Sequence, residues 1–245
     1  MAYKDAVMYD GVNDRYVKGG VLTGDADSKK WTGSVWFTVE GNDASLRRIC
    51  GNNARAIVRI NASNLFDIRA KNSSGTEIWS CWSSTSFSIY TTTLQHAMWS
   101  CDLANGYGHL YINGSDEYNQ GVLTNANIDF TYINWAMGTA PNVSSDFNGK
   151  ISMLYVWHGT YVDLSQASNR ELFYISGKTP ASVGSGLGTP IIAIEAQGTT
   201  NAGSGGNLTA GGDPTFDDDG GPEIYEAPST IVTPYYYENF LKGGK

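Results

Sequence analysis

The residues able to do chemistry are few and scattered. The three histidines, His96, His109 and His158, stand far apart, with no H-x-x-x-H pair and no Cys/His ligand set. So placed, they read as polar groups on strand faces or loops. A nucleophilic triad draws its members from distant positions, so spacing alone does not exclude one, but no G-x-S-x-G turn supports it. Carboxylates gather at Asp25 and Asp27, at Asp217 to Asp219, and at Glu223 and Glu226, all in segments that read as loop or arm. The aromatic residues offer a different chemistry, a flat face for a sugar ring beside polar groups. Trp82, Trp99 and Tyr107 lie near Ser/Asn-rich loops and are the candidate stacking residues. Trp79 and Trp82 are three apart, so on a strand they face opposite ways, one inward and one outward.

The elements that must position these residues are strands. Val35–Val39, Ala56–Ile60, Leu65–Arg69, Thr76–Trp79, Phe87–Tyr90, Ala97–Cys101 and Phe147–Trp157 are β-branched and aromatic runs bounded by Gly, Asn and Ser. Ile128, Phe130 and Tyr132 alternate in a further run. In the Leu65 run, Leu65, Asp67 and Arg69 face one way and Phe66 and Ile68 the other. The stretch after Phe147 places Ile151, Met153, Tyr155 and Trp157 on one face and Ser152, Leu154 and Val156 on the other, so both faces are covered. Trp36, Trp135 and Trp157 read as core. Asn113-Gly114, between Leu110-Tyr111-Ile112 and Tyr118, predicts a type I′ hairpin turn, because both central residues need positive φ. One short helix is expected after Asp163, capped by Asp163 or Ser165, with Leu172, Phe173 and Ile175 on its apolar side and Gly177 at its end.

Composition agrees. Of 245 residues 41% are hydrophobic, but only 16% are charged, below the usual quarter, so Ser, Thr, Asn and Gly must supply much of the surface. The net charge of −8 argues against nucleic acid, whose phosphates need clustered Lys and Arg. Neither a signal peptide nor a bilayer-spanning segment is evident, and the odd set Cys50, Cys81 and Cys101 reads as reduced, half-buried thiols of a protein made in a cytoplasm. Residues 183–245 hold 13 of the 29 glycines and five of the seven prolines, with 8 acidic residues against 2 basic. Pro222, Pro228 and Pro234 rule out a continuous helix beyond Asp217.

In order along the chain, "YDGVNDRYV", "WTGSVWFTV", "LYINGSDE" and "FNGKISMLYVWHGTYVDLSQASNRELF" resemble the laminin G-type, concanavalin A-like jelly roll shared by legume lectins, pentraxins and some glucanases. The likeness covers roughly residues 5–180. It implies an all-β, antiparallel two-sheet jelly-roll sandwich with one short helix. "TPIIAIEAQGTTNAGSGGNLTAGGDPTF", with Asn201–Thr209 at its centre, is similar to the end of such domains in structural proteins of tailed phages. The expected organisation is therefore a laminin G-like domain over 1–216 (core about 5–180, Gly-rich terminal strand region 183–216) and an arm over 217–245, acidic and then aromatic.

The resemblance also directs the functional expectation. Glucanases on this fold carry an E-x-D-x-x-E strand, and no such pattern occurs here, so a glycan-cleaving enzyme is disfavoured. No cofactor is implied beyond calcium, which pentraxin and legume-lectin relatives use; Asp10, Asn13 and Asp14 are the candidate oxygen donors. The arm residues Tyr235, Tyr236, Tyr237, Phe240 and Leu241 cannot bury themselves in an isolated segment and are expected to pack on the domain or a partner. Together these features lead to a non-catalytic virion structural protein, a phage capsid decoration or attachment protein on the virion surface. Its expected partners are other virion proteins such as a major capsid protein, a second copy of itself, or surface glycans, with neither nucleic acid nor membrane. The alternative is a carbohydrate-binding lectin of a tail or fibre.

Overall fold

The computed structural model of the protein describes residues 2–41, 45–87, 91–140, 145–195 and 200–225. Its strands are β1 (Ala6–Asp10), β2 (Arg15–Lys18), β3 (Lys30–Val39), β4 (Arg47–Asn52), β5 (Ala56–Ile60), β6 (Leu65–Lys71), β7 (Glu77–Ser86), β8 (Thr91–Asp102) and β9 (Tyr107–Ile112). They continue as β10 (Ser115–Asp116), β11 (Asn119–Leu123), β12 (Trp135–Met137), β13 (Asn148–His158), β14 (Thr179–Pro180), β15 (Ile192–Ile194), β16 (Thr209–Gly211), β17 (Thr215–Asp217) and β18 (Ile224–Tyr225). One sheet runs β10-β9-β8-β3-β13-β1-β17, with β15 also on β13; the other runs β11-β7-β6-β5-β4-β12-β2-β16. Both are antiparallel, and together they form the expected all-β jelly-roll sandwich. A small parallel pair, β14 with β18, stands apart.

The inner faces meet in one core. Val35, Phe37, Trp99, Leu110 and Val156 of the first sheet face Val58, Phe66, Ile68, Trp79 and Cys81 of the second. Trp31 sits among them, edge-on to Trp79, Trp99 and Phe130 at 5.8, 5.9 and 5.7 Å. Each such side chain contributes about 1.5–3 kcal/mol through its burial. Gly33 makes room: a Cβ there would lie 2.1 Å from the Trp99 ring. All three thiols are free and fully buried rather than half-buried. Phe66 and Ile68 point inward as their alternation requires.

The alternation expected in β13 breaks once. Met153 takes φ +49° and the β13–β3 register shifts between Ser152 and Tyr155. This bulge turns Ile151 to the inner side with Leu154 and Val156, while Met153, Tyr155 and Trp157 face outward. Residues 128–134 do not form the strand their alternation suggested. Ile128 makes a single bridge to Ser28, and the sheet resumes only at Trp135. The helix α1 is limited to Ala167–Arg170. Neither Asp163 nor Ser165 caps it; Gln166 holds the N-cap position, while Asp163 accepts the Ser165 backbone N–H in a turn of its own.

The outer face of the first sheet is covered by the chain itself. Val162, Leu164 and Phe173, with Leu172, Tyr174, Val183 and Leu187, lie on Trp36, Met98, Tyr111, Met153, Tyr155 and Trp157 in a second apolar cluster. Beyond Phe216 the chain stays on the domain as far as Tyr225: β17 pairs with β1, and β18 with β14. The arm residues Tyr235, Tyr236, Tyr237, Phe240 and Leu241 lie outside the described residues.

Candidate functional site

Strand β9 alternates so that Leu110 and Ile112 enter the core while Tyr107, His109 and Tyr111 line the outer face. Tyr111 is roofed by the covering segment, with the Arg170 guanidinium 4.8 Å above its ring. Tyr107, at the strand's open end, is 52% exposed. The loop leaving β13 is tied across this face. Thr32 donates its hydroxyl to Thr160 O at 2.9 Å, and Val162 N–H donates to Ser100 Oγ at 2.9 Å. Tyr161, held between those two ties, lies against β9. Its ring is parallel to Tyr107 (centroids 5.8 Å apart, planes 19° apart) and to His109 (5.9 Å, 26°).

Polar groups border this aromatic platform. His109 Nε2 and Tyr161 Oη are 2.9 Å apart, and Asp163 Oδ1 is 3.6 Å from Nε2. Burial lowers the His109 pKa, against the opposing pull of Asp163 and Asp116. Burial, followed by Asp163, pushes the Tyr161 phenol up to about 12. Hydrogen bonding from the Ser165 hydroxyl holds the Asp163 carboxyl below its ordinary range. At neutral pH the platform therefore offers a neutral imidazole, an intact phenol and a carboxylate beside two parallel rings. That set suits an uncharged, hydroxyl-rich ligand, with a ring face to stack and acceptors for its hydroxyls.

The family model for the concanavalin A-like lectin/glucanases superfamily matches residues 11–164. The chain belongs to that superfamily. Its laminin G-like domain has the lectin-type fold. Among solved structures it resembles a Bacteroides ovatus protein named as a candidate carbohydrate-binding protein, with TM-score 0.65, 14% identity and 91% of this chain covered. The chain spans 62% of that protein's length. It also resembles the heptameric SAP-like pentraxin of Limulus polyphemus, with TM-score 0.54, 9% identity, and 90% and 96% of the two chains covered. No curated protein matches it in sequence.

The structure separates the three aromatic residues that the sequence put forward. In this superfamily member Trp99 is sealed in the core at 0% exposure, so it has no face for a ligand, and that expectation is corrected. Its β8 position alternates inward, which proximity to a Ser/Asn-rich loop could not reveal. Trp82 is half-buried on the outer face of the second sheet, opposite the buried Trp79, as the three-residue spacing required. Tyr107 belongs to the other sheet. Tyr161 and His109 were missed, because only the loop crossing after β13 brings residues 52 positions apart into contact.

Of the candidate calcium donors Asp10, Asn13 and Asp14, the two aspartates are otherwise engaged. Asp14 Oδ2 accepts Asp10 N–H at 3.1 Å, its Oδ1 accepts Asp213 N–H at 2.7 Å, and Asp10 Oδ1 accepts Val12 N–H at 2.8 Å. Both Asp14 oxygens accept backbone N–H groups, one local and one from Asp213, and no group of three or more His, Cys, Asp or Glu among the described residues is placed to hold a metal. The set does not fit calcium, which takes six to eight oxygens.

A further pair joins His158 Nδ1 to Asp25 Oδ1 at 2.7 Å, with Phe130 stacked on the imidazole at 3.6 Å. The two line a depression with Ser28 and Ser204. Those hydroxyls bond elsewhere, Ser28 Oγ accepting Lys30 N–H and Ser204 Oγ donating to Pro190 O. Among the described residues, the pair is thus a His–Asp dyad without a hydroxyl bonded to its second nitrogen.

The glycine-rich stretch after β15 has a structural cause. Asn201 is buried, its Oδ1 accepting Ala193 and Gly203 N–H and its Nδ2 donating to Ile191 O and Gly206 O. A Cβ at Gly205 would lie 2.5 Å from Ile191 O. The Asn201–Thr209 pattern therefore clamps the terminal strand.

Proposed function

We propose that the protein is a non-catalytic carbohydrate-binding module whose ligand, a neutral glycan, stacks on Tyr107 and Tyr161. The observation that carries this reading is the parallel ring pair, exposed at Tyr107 and half-buried at Tyr161, bordered by His109 and Asp163. The lectin-type fold and the likeness to the Bacteroides ovatus candidate carbohydrate-binding protein support it. The test is a glycan screen followed by titration of the best ligand. Tyr107→Ala is expected to weaken binding by about tenfold through loss of one stacking face. Unchanged affinity in that variant would move the site elsewhere. Reducing ends released from a β-glucan would overturn the non-catalytic part.

A virion setting, as a decoration or attachment protein, is the second reading. It is favoured by the likeness of Asn201–Thr209 to phage structural domains and by the aromatic sequence beyond Tyr225. On this reading the partners are a capsid protein or a second copy of the chain. Measuring the solution mass of the full chain beside one ending after Tyr225 tests self-assembly. Equal monomeric masses would remove the arm as a self-assembly device.

A further inference from the structure

One row of side chains crosses the outer face of the second sheet. The register sets Arg48 opposite Arg59, Arg59 opposite Asp67, Asp67 opposite Trp82, and Trp82 opposite Asn119. Like charges directly opposed on neighbouring strands repel. Arg59 is compensated, its Nε 2.5 Å from Asp67 Oδ2, and Arg69 shares the same carboxylate at 3.0 Å and adds Glu77 at 3.1 Å. Arg48 is not. Although buried, it reaches only carbonyls, with Nη1 donating to Asn52 O at 2.8 Å and Asn53 O at 3.4 Å. Its Nε has no acceptor, and none of its hydrogen bonds uses Nη2. Burial first, and the Arg59 cation second, pull the Arg48 guanidinium down to about 10.

Among the described residues of this row and its ion pairs, three arginines, Arg48, Arg59 and Arg69, face two carboxylates, Asp67 and Glu77, on a chain whose net charge is −8. A buried cation beside another cation, with no carboxylate of its own, is a site that an anion completes. Guanidinium forks match carboxylates in two parallel hydrogen bonds. At the other end of the row Trp82 presents a half-exposed ring, three inter-strand gaps or roughly 14 Å away. A cationic end in line with an aromatic face fits a short, charged oligosaccharide better than an isolated anion.

We propose that Arg48 and Arg59 bind the carboxylate of an acidic oligosaccharide whose chain runs along this row to stack on Trp82. The choice of a saccharide rests on the carbohydrate-binding reading; the anion site itself does not. The site is separate from the Tyr107 platform, which lies on the other sheet.

The test is calorimetric titration of the full-length protein with trigalacturonate and with neutral galactotriose, at low and at physiological salt. Trigalacturonate is expected to bind, and to bind less tightly as salt rises. R48M and W82A are each expected to weaken it by about tenfold, and Y107A to leave it unchanged. R48M is expected to keep the wild-type Tm, since it removes a like-charge pair. A merely structural Arg48 would instead lower Tm and leave affinity alone, which would overturn the proposal. No binding of trigalacturonate at low salt, or binding indifferent to W82A and R48M, would also overturn it. If neutral glycans still bind through Tyr107 in that event, the carbohydrate reading stands and only the acidic site falls. If no saccharide binds, both fall. Should R48M fail to fold, W82A and the charge-keeping R48K decide; R48K is expected to weaken binding by losing the planar fork.

Discussion

The two sheets each bury one face in the shared core and finish the other face in opposite ways. On the first sheet, Trp36, Met98, Tyr155 and Trp157 are roofed by the chain between Val162 and Leu187. On the second, Arg59, Asp67, Arg69 and Glu77 satisfy one another as ions and leave Trp82 half-exposed. An apolar outer face must be covered, and the cover spends chain length to gain burial. A charged outer face is finished by internal pairing instead, and here it leaves the Trp82 ring half-exposed at the end of the row. The Tyr107 platform lies where the first sheet's cover ends, so it inherits a rigid aromatic layer and an open side.

Truncation under the cover is expected to cost most. Trp157→Ala removes a ring stacked on Tyr155 and edge-on to Phe173, with its Nε1–H donated to Gly188 O. About 4 kcal/mol of stability should be lost in denaturant unfolding. A loss under about 1 kcal/mol would mean that the roof is not anchored there.

Asp67→Ala is the matching test on the charged face. It strips the shared partner from Arg59 and Arg69 at a fully buried position, and about 3 kcal/mol should be lost. An effect within the noise of surface substitutions would dissolve the contrast between the faces.

His96 sharpens the comparison by pH. Under the cover it is sealed against Trp36 and Tyr174, with Nε2 on Ser34, and burial lowers its pKa to about 3. Above pH 6.5 it is neutral in both folded and unfolded chains and contributes no pH dependence. As pH falls below 6.5 the unfolded chain takes up a proton that folded His96 refuses, so stability drops, by about 1.4 kcal/mol per unit at the steepest. Between pH 6.5 and 5, H96Q should show a flatter profile than wild type; an identical profile would show that His96 is not the source. The smallest effect is expected at the platform: Tyr107→Ala should change stability by less than about 0.5 kcal/mol while losing glycan affinity.

Much of this was legible in local pattern. The Asn113-Gly114 turn takes φ +50° and +80°, as the residue pair required. The Trp79/Trp82 and Leu65–Arg69 alternations put the right side chains inward. Other features were hidden because they depend on what a segment meets. The Met153 bulge follows from β13 pairing with β3, β1 and β15, not from its own residues. Ile128 and Phe130 are buried by packing into the core from a segment that is not a strand, so their alternation mimicked a strand without a neighbour to pair with.

By itself the sequence determined the class of fold, the central hairpin and most inward-facing residues, since strand period and turn chemistry act over a few residues. Tertiary structure alone decided which aromatic side chains kept an open face. It set Trp99 inside and Tyr107 outside, and it brought Tyr161 and His109 together across 52 positions. It also placed Arg48 opposite Arg59. Those outcomes rest on register and on a loop crossing a sheet, where contacts between distant segments compete, and no local pattern encodes the winner.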